Sequence, residues 1–212
     1  MLLQQVLKTQ KGVMGEQHPN TLLTAGNLAC AFCEQGQHDE AAALQWEVLT
    51  AQTRALGPGH PSTLETAGNM GEMLLLQGKF TAAEELLRKT LGLQAAALGV
   101  VHDHYLYTAT TLGLALTLLG RHGEAESVLR DARASLACTL GPEHLETLRT
   151  SSVLGQALVA RGGKASVDEG TALLEATHAK QVEFFPSHAE TQRTADRLGV
   201  AGAGAGASVG VE

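Results

Sequence analysis

Aromatic residues and cysteines are both scarce in this chain of 212 residues. Aromatics make up 3% of it and cysteines number three, so a hydrophobic core must consist mainly of Leu, Ala, Val and Met. Three cysteines are an odd and sparse set, which favours a reducing compartment over a disulfide framework. The chain also lacks a run near the ~20 apolar residues that span a bilayer, and its N-terminus lacks the basic region of a secretory signal. We therefore expect a cytoplasmic protein without a membrane partner.

Basic charge is in short supply as well. The chain has 15 Lys and Arg against 22 Asp and Glu, for a net charge of -7. Nucleic acids and anionic membranes bind basic surfaces, so neither is an expected partner. Hydrophobic residues account for 44% of the chain, which excludes a wholly disordered protein. Glycine is plentiful by contrast, at 24 residues, and many of these glycines recur at a fixed spacing.

A repeat of 42 residues runs through the chain. The segment HPNTL at His18 returns as HPSTL at His60, HDHYL at His102 and HLETL at His144, with a decayed copy at His188. Two series of glycines keep the same step: Gly15, Gly57, Gly99 and Gly141, and Gly36, Gly78, Gly120 and Gly162. Apolar residues in both halves of each unit follow a helical period. One helix pair cannot bury its own apolar stripe, so the pairs must stack on their neighbours.

The predicted fold class is therefore all-α, an α-solenoid of stacked antiparallel helix pairs. The array is expected over residues 1–198, as a half unit 1–17, full units 18–59, 60–101, 102–143 and 144–187, and a C-terminal capping helix 188–198 with a polar, solvated face. Residues 199–212 alternate Gly and Ala and are predicted to be a flexible tail. Asp39 and Thr81 are predicted N-caps of second helices. An insertion is predicted near 163–167, before a helix from about Asp168 to Phe185.

The units resemble tetratricopeptide repeats. The likeness rests on a small residue at the close-packing point of the first helix and an alanine early in the second: Ala29, Gly71, Gly113 and Gly155, then Ala41, Ala83 and Ala125. The 42-residue period, the H-P-x-T-L openings and the pair Gln35-Gly36 are similar to the kinesin-light-chain subtype. The resemblance covers residues 1 to about 199. It implies a right-handed superhelix and a non-catalytic protein-interaction module. The heptad coiled coil of kinesin light chain has no counterpart here, so motor function is not implied.

The resemblance also implies a binding site. In such arrays the first helices line a concave groove, where an Asn bonds the backbone of a bound peptide. Asn27 and Asn69 match that position, although an Asn there also suits a bridge between neighbouring helices. The helix period predicts a groove of Leu23, Asn27, Cys30, Glu34, Glu65, Asn69, Glu72, Leu76, Tyr107, Thr111, Leu114, Leu118, Arg149, Gln156 and Val159. Arg149 is the only cation among them, so the expected ligand is a peptide with apolar anchors that is neutral to mildly basic.

A structural or regulatory role through the N-terminal edge is the alternative. Leu2, Leu3, Val6 and Leu7 align with positions of a second helix, and all but Leu3, which aligns with Gln45, match in character. The chain is therefore expected to open on a half unit with an uncovered apolar edge. Such an edge fits either a piece of a longer repeat protein or an interface for a dimer or a neighbouring domain. The sequence leaves both possibilities open.

No catalytic residue, cofactor or metal site is predicted. The repeated histidines occur once per unit and cannot converge on one zinc ion, so they are predicted to be turn and helix-start residues. Cys30 and Cys33 form a C-x-x-C inside a helix, away from the helix start that lowers a thiol pKa. No glycine-rich phosphate loop follows a strand. An enzyme is therefore not expected.

Overall fold

The computed structural model of the chain describes residues 2–207, apart from the side chains of Glu34 and of residues 200–207. Within that range it contains ten α-helices and no strand. The helices are α1 Leu2–Val13, α2 Pro19–Glu34, α3 His38–Leu56, α4 Pro61–Leu76, α5 Phe80–Ala97, α6 Asp103–Leu118, α7 His122–Thr139, α8 Leu145–Arg161, α9 Lys164–Phe184 and α10 Ala189–Ala207. The predicted all-α class is confirmed.

Contacts divide the chain into two compact units, Met1–Thr108 and Ala109–Glu212, here called unit 1 and unit 2. In unit 1 each helix from α1 to α4 packs against the next one along the chain. In unit 2, α8 packs against α7 and α9, and α10 contacts both α8 and α9. In these parts of the two units, helices that follow one another in the chain are neighbours in space, as stacked helix pairs require.

A histidine caps the start of each first helix. Nδ1 of His60 accepts a hydrogen bond from the backbone N–H of Ser62 at 3.2 Å. The same contact occurs at 3.1–3.3 Å at His18, His102, His144 and His188. The bond satisfies one of the N–H groups that a helix start leaves without a partner. The prediction that these histidines are helix-start residues is confirmed.

Glycines in the left-handed region end the first helices. Gly78 has a φ of 73°. Its N–H bonds the carbonyl of Leu75 and the N–H of Lys79 bonds that of Leu74, both at 2.9 Å. This pair of bonds is a Schellman motif, which favours glycine because other residues rarely adopt a positive φ. Gly36 and Gly120 end α2 and α6 in the same way. The sharp turn lets the second helix start two residues later.

Small residues allow the two helices of a unit to approach closely. A Cβ added to Gly71 would lie 2.3 Å from Cδ2 of Leu87, and one added to Gly113 would lie 2.4 Å from Cγ of Leu129. Both leucines are fully buried. At the corresponding positions α2 has Ala29 and α3 has Gln45, which are also buried. Glutamine is unbranched at Cγ, whereas leucine carries two methyl groups there. Gln45 therefore leaves room for the methyl group of Ala29, which glycine lacks.

The C-terminal helices are longer than the sequence suggests. α9 begins at Lys164, so most of the predicted insertion at 163–167 is helical, and α9 has 21 residues against 18 in α5 and α7. α10 continues through Gly199 to Ala207, into the segment predicted to be a flexible tail. Once a helix is nucleated each added residue gains a hydrogen bond, and alanine has the highest helix propensity. Residues 208–212 of the predicted tail lie outside the described part.

The second helices α3 and α5 have no side-chain cap. Gln37 and Lys79 occupy their N-cap positions. The predicted caps Asp39 and Thr81 lie in the first turns of these helices instead. Asp39 accepts a hydrogen bond from Nε2 of Gln77 at 2.8 Å, which links the start of α3 in one unit of the repeat to the end of α4 in the next unit.

Candidate functional site

A cavity of about 380 Å³ lies between α2, α3 and α4 in unit 1. Leu23, Asn27 and Cys30 line it from α2, and Glu65 and Asn69 line it from α4. All five are predicted groove residues, and the structure brings them together. This space is called the groove cavity below.

Two asparagine amides of the groove cavity are free to meet a ligand. Asn27 is exposed and Asn69 is half-buried. Within the described residues neither side-chain amide has a hydrogen-bond partner. The bridging role that an Asn could take between helices is therefore not seen in this part of the chain. Each amide offers a donor and an acceptor, which is the pattern that a peptide backbone presents in reverse.

The groove cavity carries little charge. Of its described lining residues, Glu65 is the one that is charged. The others are apolar or neutral, and Leu23 and Leu56 are exposed at the rim. A lone carboxylate repels acidic ligands and attracts basic ones, so the lining matches a neutral or mildly basic partner.

The wall of the groove cavity that α3 supplies is absent from the sequence-based prediction, which considered first helices only. Gln45, Val48 and Gln52 lie on this wall. Gln45 is buried, and its Nε2 donates to the carbonyl of Thr66 on α4 at 3.3 Å. The sequence does mark Gln45 as unusual, because the equivalent positions of the next two units are Leu87 and Leu129.

Glu72 and Tyr107 are paired with each other in unit 1. Both are half-buried, and the Tyr107 hydroxyl donates a hydrogen bond to the Glu72 carboxylate. Neither residue lines the groove cavity. Leu76 is exposed at the end of α4. Glu34 was predicted in the groove too, but its side chain lies outside the described residues.

In unit 2 the predicted site residues do not form an open surface. Thr111 is fully buried and Arg149 is only 7% exposed. Gln156 is half-buried, and its Oε1 accepts a hydrogen bond from Nε of Arg197 on α10 at 3.0 Å. Leu114 and Val159 are half-buried, while Leu118 is exposed. The terminal helix thus occupies part of the face of α8 that was expected to meet a ligand.

A buried carboxylate accounts for the position of Arg149. Glu190 on α10 lies 3.6 Å from Arg149, 3.6 Å from Arg197 and 2.5 Å from Arg193. Burial acts to raise the pKa of Glu190, but the three guanidinium groups outweigh it and hold that pKa below its ordinary value. Burial and the neighbouring arginines lower the pKa of Arg197 in turn. The capping helix therefore has a polar contact face, where the sequence suggested solvated side chains.

The N-terminal edge is smaller than predicted. Leu7 is 7% exposed and packs in the core of unit 1, and Leu3 is partly buried against that core. Leu2 and Val6 remain exposed, at 75% and 38%. Val13 is also exposed and lies on the same helix face, because the steps from Leu2 to Val6 and Val13 keep to the helical period.

Neither a metal site nor a membrane span emerges from the described residues. Within 2–207 no group of three or more His, Cys, Asp or Glu side chains is placed to hold a metal ion. Cys33 Sγ lies 3.8 Å from Nδ1 of His38, and Cys30 is exposed. In the same range no helix combines the length and the apolar character needed to cross a membrane.

Comparison with known proteins identifies the family. The model of the tetratricopeptide repeat matches residues 33–96 and 64–137. The nearly identical TPR-like repeats of a protein from Podosopora anserina, ascribed to a kinesin light chain, are 30% identical to this chain. The match covers 88% of this chain and 87% of that one, with a TM-score of 0.66. This chain belongs to the tetratricopeptide repeat family. The Q17M crystal structure of the same repeats is also 30% identical, with a TM-score of 0.69 over 88% and 86% of the two chains.

The tetratricopeptide repeat array shares its fold with a more distant protein. BtubC (BKLC) from P. vanneervenii matches 97% of this chain and 85% of its own, with a TM-score of 0.71 and 16% identity. An identity this low shows the fold alone. No curated protein matches the chain significantly. Tetratricopeptide repeats are generally protein-interaction modules, so binding to another protein is the general function that membership of the family gives.

Proposed function

We propose that this tetratricopeptide repeat array binds a peptide or a partner's helix in the groove formed by its first helices, without catalysing a reaction. One observation carries the proposal: the groove cavity sets the unpartnered amides of Asn27 and Asn69 beside exposed apolar side chains. A peptide backbone satisfies the amides, and an apolar side chain of the peptide fills the space against Leu23 and Val48. The volume of about 380 Å³ is within the range of ligand pockets, which is roughly 300–1,000 Å³.

The charge of the lining defines the ligand further. Glu65 supports a partner that is neutral or mildly basic around its apolar anchors. An acidic partner would place its carboxylates next to Glu65 with no cation of the groove cavity to pair them. A preference for neutral or mildly basic partners distinguishes the site from clamps that hold carboxylates with clustered Arg or Lys.

The test uses three fluorescein-labelled peptides, GSLQLSG, GSLKLSG and GSLELSG, with binding followed by fluorescence anisotropy. We expect the neutral and basic peptides to bind more tightly than the acidic one. The variant Asn27→Ala with Asn69→Ala should weaken their binding by about tenfold, because each lost hydrogen bond is worth about 0.5–1.5 kcal/mol.

Gln35→Ala with Gln37→Ala is the matched control. It also removes two side-chain amides, from exposed positions in the turn between α2 and α3 that do not line the groove cavity. Tightest binding of the acidic peptide would contradict the proposed ligand. Unchanged binding by the asparagine variant would contradict the groove itself.

The second candidate function is oligomerisation or domain contact through α1. It is favoured by the stripe of exposed apolar side chains at Leu2, Val6 and Val13. Apolar side chains that share one exposed helix face are typical of an interaction surface. This function does not use the groove cavity, so the two candidates respond to different substitutions.

A further inference from the structure

Trp46 lies on the side of α3 that faces away from the groove cavity. It is the single tryptophan of the chain, and its side chain is 55% exposed. Beside it α3, α4 and α5 enclose a second cavity of about 390 Å³, called the Trp46 pocket below. The Trp46 pocket shares no lining residue with the groove cavity. These two cavities therefore lie on different sides of α3.

The Trp46 pocket has apolar walls and a cationic rim. Its apolar lining residues are Trp46, Leu49, Pro58, Leu64, Ala67, Leu86 and Leu93. Its charged lining residues are Arg54 and Lys89, which are both exposed and have no ion pair within the described part of the chain. No described carboxylate lines the pocket. The pocket is therefore locally positive, although the whole chain has a net charge of -7.

The threonines of the Trp46 pocket add little polarity to it. The hydroxyls of Thr50, Thr53 and Thr90 donate to backbone carbonyls one turn earlier in their own helices, at 2.7–2.8 Å. The protons of these three hydroxyls are therefore already used. The fourth threonine of the pocket, Thr63, has a hydroxyl without a partner in the described part of the chain, but it is only 2% exposed. Selective polar recognition at this site falls to Arg54 and Lys89, which bind anionic groups.

A third cavity extends the surface on the other side of the Trp46 indole. It has a volume of about 530 Å³ and shares Trp46, Thr50 and Arg54 with the Trp46 pocket. It also adjoins the groove cavity, since Gln17, Leu22 and Val48 line both. Its charges are mixed, and Lys11 and Glu47 lie 3.9 Å apart along its lining. Two adjoining cavities with an exposed indole between them suit an extended chain better than a compact small molecule. Exposed Trp side chains are frequent centres of binding energy.

We propose that this surface binds a peptide segment of a partner protein in which a large apolar side chain stands next to carboxylates. The apolar side chain enters the Trp46 pocket, and the backbone crosses the Trp46 indole. The carboxylates pair with Arg54 and Lys89 in charge-assisted contacts. This ligand is opposite in charge to the one that the groove cavity accepts. One unit of the array therefore selects two chemically different segments through two sites.

The test follows Trp46 fluorescence in the full chain during titration with the peptide Ac-GSFEEGS-NH2, which contains no tryptophan. Because the indole adjoins the pocket, binding should give a saturable change in emission. The glutamine analogue Ac-GSFQQGS-NH2 should bind about tenfold more weakly, and 0.5 M NaCl should remove most of that difference by screening. Equal affinity of the two peptides, or no saturable change up to millimolar peptide, would overturn the proposal.

Variants locate the binding. Arg54→Glu with Lys89→Glu should weaken binding of the acidic peptide at least about tenfold, because it replaces attraction by repulsion at the rim. Lys8→Glu with Lys79→Glu is the control, since both lysines are exposed and line none of the three cavities. An equal loss in this control would reduce the effect to net charge and contradict the site.

Two further measurements separate this site from its alternatives. The groove variant Asn27→Ala with Asn69→Ala should leave binding of the acidic peptide unchanged, so failure of one site is distinguishable from failure of the other. Phenylacetate should bind at least tenfold more weakly than Ac-GSFEEGS-NH2. If phenylacetate binds as tightly, the pocket takes a small carboxylate and the peptide proposal is wrong.

Discussion

Thr63 and Thr147 occupy the same position in two units of the repeat, but their hydroxyls have different surroundings. The Thr147 hydroxyl donates to the carbonyl of Gly141 at 2.8 Å, and that of Thr191 makes the same bond to Phe185 at 2.7 Å. Thr63 is only 2% exposed, and its hydroxyl has no partner in the described part of the chain. A buried hydroxyl without a partner costs free energy on folding.

We expect valine to have different effects at these two positions. Thr147→Val should lower the free energy of unfolding by about 1 kcal/mol, since it leaves the Gly141 carbonyl without its donor. Thr63→Val should be neutral or stabilising, because valine keeps the shape and removes an unpaired polar group. Urea denaturation followed by circular dichroism measures both. Equal losses in the two variants would mean that the Thr63 hydroxyl does have a partner in solution.

Single side chains also show how far the sequence predicts the site. Leu23, Asn27 and Glu65 could be placed in one cavity because a helical period specifies which residues share a face. Arg149 could not be placed correctly, since its partner Glu190 is 41 positions away. Periodicity identifies a face of a helix, but it does not show which polar side chains of two helices will pair.

Helices could be delimited from the sequence where one residue type carries the signal. The capping histidines start the first helices, and glycines at positive φ end them. The second helices α3 and α5 start without a side-chain cap and directly after the motif that ends the first helix. Gln37 closes the Schellman motif of α2 through its N–H, and its carbonyl accepts the first bond of α3, from Ala41. Lys79 has both roles between α4 and α5, so a single residue joins the end of each of these first helices to the start of the second.

The docking of α10 on α8 should depend on pH through Glu190. Glu190→Gln is expected to lower the free energy of unfolding at neutral pH by about 2 kcal/mol, because it leaves Arg149, Arg193 and Arg197 without their shared anion. The pKa of Glu190 is lowered in the folded state. Its stabilisation is therefore present at neutral pH and is lost as the pH falls through the folded-state pKa.

Urea denaturation at a series of pH values measures this dependence. The wild-type and Glu190→Gln curves should differ at pH 7 and converge in strong acid. Asp196→Asn on the same helix is the control, since Asp196 is exposed and hydrogen-bonded only to its neighbour Gln192 among the described residues. A difference between wild type and Glu190→Gln that persists unchanged in acid would contradict a role for the charge.

Across the full chain, the architecture followed from the repeat alone. A uniform 42-residue step gave the all-α class and the stacked pairs, since each copy repeats the same local signals. The step is equally regular across Thr108 and Ala109, where contacts divide the chain into its two units. A period reports local structure and not contact density, so this division within α6 could not be predicted.

Association through α1 can be tested on the mass of the chain in solution. An interface at Leu2 and Val6 predicts a mass that rises above 22.1 kDa with concentration in light scattering. Leu2→Asp with Val6→Asp should then restore the monomer, because a charge buried in an apolar contact is costly. Leu3 and Leu7 are unsuitable for this test because they pack against the core of unit 1. Gln4→Asp with Gln5→Asp is the control. A wild-type chain that stays monomeric would exclude self-association through α1.

Each 42-residue period contains the histidine that starts its first helix and the glycine that ends it, and this has an evolutionary consequence. A duplicated or deleted stretch of 42 residues carries its histidine, its Schellman glycine and its linking residue together, so recombination creates no new type of junction. The step from His144 to His188 is 44 residues instead. Those additional residues lie where α9 is longer than its counterparts α5 and α7. Arrays of this kind can therefore change length by whole units, or by small insertions that extend a second helix.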